Sequence, residues 1–305
     1  MARYRAARGP TAGRASLWPP VLPLVWPLLL SLWLGLTWVA PVRAQEMALP
    51  EDAEPQRRWS AAVGVMASVG PEYAGAARVG VTIQPGLGLR WGRVSLASRS
   101  AFAVRGGEPG ARGGLRVELL RSERWRASLG LRWDSGRDEG DSPDLQGLGD
   151  VRGTLRARVS LGYRIDESWR LSSAISADTL GRSAGWLGEV GVSRGWRLSP
   201  ATGVSASAVL GFAGQRWQQN YFGITPEQSS RSGYAVYATE AGLRDVVLSL
   251  GGRTEFSLGG RTGLKPRWAV FYGASVSRLL GPTVASPLVR ERQGWGLSVG
   301  IVARI

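Results

Sequence analysis

Apolar and small or polar residues alternate through the last eleven positions of the sequence. Trp295, Leu297, Val299, Ile301, Ala303 and Ile305 fall on one side, and Gly296, Ser298, Gly300 and Arg304 on the other, with Val302 as the one exception. Side chains alternate faces along an extended chain, so this segment is a strand with one greasy face and one small, polar face. The same period of two recurs from residue 57 onward, and no segment with helical periodicity stands out. It predicts twelve strands, at roughly 58–69, 77–91, 93–104, 112–122, 124–134, 150–164, 168–178, 184–198, 202–213, 236–258, 266–279 and 295–305. An apolar edge such as 295–305 invites aggregation unless another strand covers it, and closing the last strand onto the first removes both edges. The expected fold class is therefore all-β: an antiparallel transmembrane β-barrel of about twelve strands, an even number as in bacterial outer-membrane barrels.

The connections alternate in length. Gly92-Arg93, Ser122-Glu123, 164–167 and 198–201 are tight and 259–265 is moderate, while 70–76, 105–112, 135–149, 180–184, 214–235 and 280–293 are long. Short periplasmic turns at one end and long extracellular loops at the other are expected of an outer-membrane barrel. Tryptophans add an independent line. Trp59, Trp91, Trp125, Trp169, Trp196 and Trp268 sit at strand ends beside short turns, Trp133, Trp186 and Trp295 beside long loops, and Trp217 within a loop. Indole rings favour the headgroup layer, so two girdles are expected. A lipocalin-like barrel would turn its apolar face inward, but then the opposite face would be rich in Lys, Glu, Asp and Gln; here it is mostly Gly, Ser, Ala and Arg, which suits a lumen. Pro85, inside the second strand, predicts a bulge or bend there.

Composition refines this picture. Residues 1–44 read as a cleaved signal peptide: Arg3, Arg5, Arg8 and Arg14 precede an apolar run from Val21 to Val39, and Val42-Arg43-Ala44 supplies a cleavage site. Residues 45–56 read as a short disordered segment, and 57–305 as the barrel, located in the cell outer membrane. The formal charge of +15 comes almost entirely from arginine, with Lys265 the only lysine. These arginines are scattered over strands without forming a basic tract, so no nucleic-acid partner is expected. Histidine and cysteine are absent. That removes Ser-His and Cys-His machinery and the commonest zinc ligand. No phosphate-binding loop occurs. The expectation is a protein that is not an enzyme, with no cofactor and no metal.

Several stretches resemble the MipA/OmpV family of outer-membrane proteins. They are Gly70-Pro-Glu-Tyr-Ala-Gly75; Asn220-Tyr-Phe-Gly-Ile-Thr-Pro-Glu-Gln-Ser229 with Arg231-Ser-Gly233 and Gly242-Leu-Arg-Asp245; and Ser277-Arg-Leu-Leu-Gly281 with Ser286-Pro-Leu-Val289. The resemblance marks Asn220, Tyr221, Phe222, Gly223, Thr225, Pro226, Arg231 and Gly233 as the family-motif loop. Family members usually finish on an aromatic residue, whereas this sequence finishes on Ile305. The resemblance implies an outer-membrane barrel and, by the family's best-known member, a scaffold that joins a murein lytic transglycosylase to a murein synthase. Outer-membrane lipid and lipopolysaccharide are further expected partners.

The small, polar face suggests a second reading. Arg99, Arg116, Arg126, Arg132, Arg156 and Arg158 would line one wall of the lumen, with Glu118 the only nearby acid. Fixed cations in a narrow channel attract anions, so a small-solute channel with an anion bias is the alternative function; a static Arg–Glu lattice filling the barrel is equally compatible. Asp134, Asp138, Glu139, Asp141, Asp144 and Asp150 match no calcium-loop spacing and read as a solvated surface loop. The 214–235 loop carries enough apolar surface to plug the lumen or to form a partner-binding surface.

Overall fold

A computed structural model describes residues 59–98, 111–182, 185–257 and 267–304. The leader, the 45–56 segment and Arg99 lie outside these. The twelve strands are β1 (Trp59–Pro71), β2 (Val79–Trp91), β3 (Val94–Ala97), β4 (Ala111–Arg121), β5 (Trp125–Asp134), β6 (Thr154–Arg164), β7 (Trp169–Asp178), β8 (Trp186–Arg197), β9 (Thr202–Ala213), β10 (Gly242–Ser257), β11 (Arg267–Leu279) and β12 (Gln293–Arg304). Each pairs antiparallel with its sequence neighbours, and β12 pairs with β1 from Ala62↔Arg304 to Val69↔Leu297, so the sheet is a closed barrel without an edge. Among the described residues no helix is long and apolar enough to cross a membrane; the strands make the crossing.

The apolar side of each strand faces outward. Leu297 and Val299 are 52% and 54% exposed, and Val63, Val65, Val81, Ile83, Leu129, Leu161 and Ile175 are exposed as well. A large exposed apolar band on a closed barrel requires hydrocarbon around it. Trp59, Trp91, Trp125 and Trp169 are exposed at the short-turn rim, and Trp133, Trp186 and Trp295 at the other, which gives the two girdles. On the outer face the Tyr272 ring lies over Gly252, its cross-strand partner, where any Cβ at 252 would collide with it; an aromatic neighbour thus covers the gap a strand glycine leaves.

Short turns are closed by their own side chains. Gly92 adopts a φ of 57° between β2 and β3, a left-handed conformation glycine takes without steric cost. Ser122 Oγ accepts from the Trp125 amide at 3.0 Å, and Ser199 Oγ accepts from Thr202 at 3.0 Å.

Three local expectations change. The register of β1 with β2 runs unbroken through Val65↔Pro85, so Pro85 makes no bulge there. Leu87, of the same parity, directs its N–H to Ser98 Oγ and its carbonyl to the Ser98 amide. The donor that Pro85 lacks therefore faces the β3 side and costs the β1 ladder nothing. The tenth strand begins at 242 rather than 236, because Tyr237 exchanges backbone hydrogen bonds with Ile224 instead of with a barrel strand. Likewise 150–153 stays outside β6, because Val151 bridges to Arg137.

Candidate functional site: the capped outer mouth

Four of the long connections, at 72–78, 135–153, 214–241 and 280–292, fold together over one end of the barrel. Their centre is the 214–241 connection, which forms two short helices, α1 (Gln215–Phe222) and α2 (Pro226–Ser232). Thr225 caps α2: its hydroxyl accepts from the Gln228 amide, and the Gln228 side chain accepts from the Thr225 amide. Pro226 stands at the first helical position, and Gly233 ends the helix with φ 77°. Such reciprocal capping makes a helix this short viable.

Helix α1 turns inward. Trp217, 1% exposed, packs with Phe222 against Leu187, Ala213 and Leu279, the inward side chains at the upper ends of β8, β9 and β11. Its indole stacks on Tyr221 at 4.5 Å, and the Arg244 guanidinium lies 5.6 Å from the same ring. A β-bulge between Leu243 and Asp245 brings Arg244 and Asp245 together in the interior, where the Arg244 Nε donates to Asp245 at 3.0 Å. Gly211 opposite leaves room for this pair, since a Cβ there would strike both side chains.

A second cluster joins Leu145 and Leu148 of the 135–153 loop to Ile224 and Leu288, with Tyr73, Tyr234 and Tyr237 around it. Hydrogen bonds tie the same segments. Gln228 Nε2 donates to the Leu148 carbonyl at 2.6 Å, Arg231 Nε to Gly147 at 3.1 Å, and Arg137 to the Tyr221 carbonyl at 2.7 Å. Ser286 Oγ donates to the Phe222 carbonyl at 2.6 Å, and Thr283 donates to the Gln218 side chain. Tyr73 Oη donates to Leu288 at 3.0 Å, and the Gly75 carbonyl accepts from both Arg290 and Glu291. The three motif stretches, at 70–75, 220–245 and 277–289, thus meet in one cap, with the 135–153 loop as its fourth piece.

Burial drives the electrostatics. The Tyr73 phenol is pushed up to about 12, first by burial and then by Asp144 and Tyr234. Burial, with Asp134 beside it, also raises Tyr221. Both hydroxyls therefore stay protonated and serve as donors. Most acids of the 135–153 loop are engaged in its own turns, Asp138 accepting from Gly140, Glu139 from Gly149 and Asp150 from Glu139, while Asp144 lies 3.7 Å from Arg290 of the 280–292 loop. The loop's acids lie at its solvent side, with Asp138, Asp141 and Asp150 exposed, while Leu145 and Leu148 turn under it and join it to the cap, a burial that a reading of its charges overlooks. Among the described residues no group of three acidic, His or Cys side chains could hold a metal ion.

The expected cationic wall is a face shared by β4, β5 and β6. Register sets Arg132 opposite Arg156, and Gly130 between Arg116 and Arg158. Arg126 lies lower on the same face, opposite Gly162. Acids interleave with it. Arg156 Nε meets Asp134 at 2.7 Å, with both side chains buried, and Arg158 meets Glu189 of β8. Glu118 lies 4.0 Å from Arg90 and 3.8 Å from Arg121. Glu118 is therefore not the only acid of this wall, because Glu189 of β8 reaches Arg158 across β7 and Asp134 faces inward as the last residue of β5. Of the family-motif loop, Asn220, Tyr221, Phe222 and Gly223 end α1, while Thr225, Pro226, Arg231 and Gly233 build α2 and its caps. Any Cβ at Gly223 would collide with the Gln219 side chain. Sequence reasoning missed Trp217, Gln218, Arg137 and Asp134 as cap residues; a tryptophan away from both girdles was the available signal.

Gly281 tests the cap's backbone. It has φ 59°, and a Cβ there would run into the Leu243 carbonyl oxygen, whereas Leu280 donates its N–H to the Arg244 carbonyl at 2.9 Å. Gly281→Ala is expected to cost about 1–2 kcal/mol from the left-handed backbone alone. Faster protease cleavage within 280–292, with heat-modifiable migration of the barrel retained, is the readout; unchanged cleavage would contradict it.

The family model described as MltA-interacting protein MipA matches residues 63–304. No curated protein sequence matches the chain. Solved structures with a similar trace include a Pseudomonas aeruginosa FadL homologue (10% identity, 81% of this chain and 90% of that one, TM-score 0.39) and the CymD monoaromatic hydrocarbon channel (10% identity, 82% and 88%, TM-score 0.37). A porin refined at 1.8 Å is a third (9% identity, 81% and 100%, TM-score 0.31). At these scores the likeness adds nothing to what the closed ladder itself establishes.

Proposed function

Because the chain belongs to the MltA-interacting protein MipA family, we propose that this outer-membrane barrel is a scaffold for murein remodelling enzymes. It would hold a murein lytic transglycosylase at the membrane, together with a murein synthase. The observation that supports this reading over a pore is the cap. Ordering four loops around fully buried side chains such as Leu145, Ile224 and Leu288 carries a large entropic cost, and an open channel would not need it. No catalytic role is assigned, because the sequence offers no histidine or cysteine to serve as base or nucleophile. Cross-linking intact cell envelopes and purifying the barrel is expected to recover a murein hydrolase; recovery of none would sink the scaffold reading.

The arginine face of β4–β6 favours the second reading, a small-solute channel with an anion bias. The acids paired with Arg156 and Arg158 weaken it, since a paired guanidinium contributes little field to a passing ion. Conductance of the purified barrel in a planar bilayer separates the two. The scaffold predicts little current, and a steady anion-selective current would favour the channel.

A further inference from the structure

The short-turn rim is rich in arginine, and nearly every strand arginine there points into the barrel. Arg90 and Arg121 reach Glu118, while Arg253 and Arg304 reach Glu255. Arg194 departs from this rule. Register places it directly opposite Trp169 of β7 and Ala206 of β9, on the outward face of β8 with Val190, Val192 and Trp196. It thus occupies a position where lipid-facing alternation calls for an apolar residue. Where a chain breaks its own local pattern without an evident structural gain, a functional cause is the first to examine.

The surroundings of Arg194 are built. Its guanidinium carbon lies 5.3 Å from the Trp169 ring and 5.3 Å from the Trp196 ring, so two girdle indoles flank it. Flanking rings hold a planar cation by its faces and leave its edge donors free to reach a planar or tetrahedral oxyanion. The Nε atom is enclosed, so a headgroup would be met by the terminal Nη donors. Just below, in the turn between β6 and β7, stands Asp166. Its Oδ1 accepts from the Ser168 amide at 2.7 Å, the Ser168 hydroxyl at 2.9 Å and the Trp169 amide at 2.7 Å. Those amides, with a lesser contribution from the Arg194 charge, hold the carboxyl below its usual range and keep it ionised. All three bonds fall on Oδ1, which leaves Oδ2 for another donor.

A fixed cation at the level of the Trp girdle and a fixed anion one turn further toward the periplasm make a dipole along the membrane normal. We propose that Arg194, Trp169, Trp196 and Asp166 bind the phosphoethanolamine headgroup of an inner-leaflet phospholipid, with the phosphodiester on Arg194 and the ammonium at Asp166. The headgroup carries the same two charges in the complementary order. Phosphatidylglycerol offers the same phosphate without the ammonium, so its neutral glycerol leaves the Asp166 charge uncompensated. Phosphatidylcholine has a cation that cannot donate a hydrogen bond to a carboxylate. The site therefore discriminates by headgroup, beyond the general affinity of any girdle for lipid.

Native mass spectrometry of the barrel released from mixed bilayers of equal phosphatidylethanolamine, phosphatidylglycerol and phosphatidylcholine tests this. The wild type is expected to retain phosphatidylethanolamine preferentially. Arg194→Gln should lower total retention about tenfold, the effect of losing one charge-assisted hydrogen-bonded contact. Arg194→Lys should recover part of it, and Asp166→Asn should keep phospholipid but lose the preference for ethanolamine over glycerol. Heat-modifiable migration confirms that each variant is folded, and the wild-type preference is measured independently of any variant. Equal retention of the three lipids by the wild type, or retention unmoved by Arg194→Gln, would overturn the proposal.

Discussion

Asp134→Ala is expected to release the cap from the barrel wall and to destabilise the protein by about 3–5 kcal/mol, the usual cost of breaking a buried ion pair from one side. Arg156 is 0% exposed and Asp134 2% exposed, and they meet at 2.7 Å. Removing the carboxylate takes a buried acceptor from a fully buried guanidinium and leaves Asp178, its neighbour across the strand pair, as the nearby acid. The Asp134 carboxylate also accepts from the Gly136 amide at 3.0 Å and from Tyr221 Oη at 3.3 Å, so strand end, loop and α1 all lose a contact together. The lowered midpoint should appear in urea unfolding of the lipid-embedded barrel. Asp134→Leu combined with Arg156→Met should recover part of the loss, because the buried guanidinium goes with its partner and only Asp178, opposite Arg156, keeps a charge there. It should not recover all of it, since the Gly136 amide and Tyr221 hydroxyl remain without their acceptor. If Asp134→Ala unfolds at the wild-type midpoint, the pair does not anchor the cap.

Trp217→Ala is the second large effect. The ring is almost completely enclosed by Leu187, Ala213, Leu279 and Phe222, with Tyr221 stacked on it. Deleting a buried tryptophan typically costs about 3–5 kcal/mol through lost transfer free energy and the cavity left behind. Here the loss falls on the cap, because the barrel's own ladder makes no use of the indole. Three measurements should move differently. Protease should cut within 214–241, single-barrel conductance should rise as the mouth opens, and heat-modifiable migration should persist. A variant whose 214–241 segment stays resistant would show that the loop is held by contacts other than this ring. A variant that opens to protease without gaining conductance would place the resistance to ion flow deeper in the lumen.

The cap also explains the pattern of what could be read early. From the sequence, the 214–235 loop is one that either plugs the lumen or forms a partner-binding surface. Its residues at 225, 226, 228 and 233 carry a helix start and stop that are purely local. What α1 packs against lies elsewhere in the chain: Leu187, Leu279 and Arg244 are on three different strands. The 135–153 loop has two sides. Its acids suggested solvent, yet Leu145 and Leu148 find Ile224 and Leu288 only when the loops are assembled.

The sequence by itself determined the strands, the turns, the outward face and the two tryptophan girdles. Each of these depends on residues within a few positions of one another, where an alternation of two and a turn residue such as Gly92 or Asp166 act directly on the local backbone. Only the tertiary structure decided which charges pair, where β10 begins and what closes the mouth. Tyr73 meets Leu288 across 215 positions, and Arg137 meets Tyr221 across 84. No periodicity encodes such distances: the first exists because β12 pairs with β1 and sets their loops side by side, the second because the 135–153 and 214–241 loops lean over the same mouth.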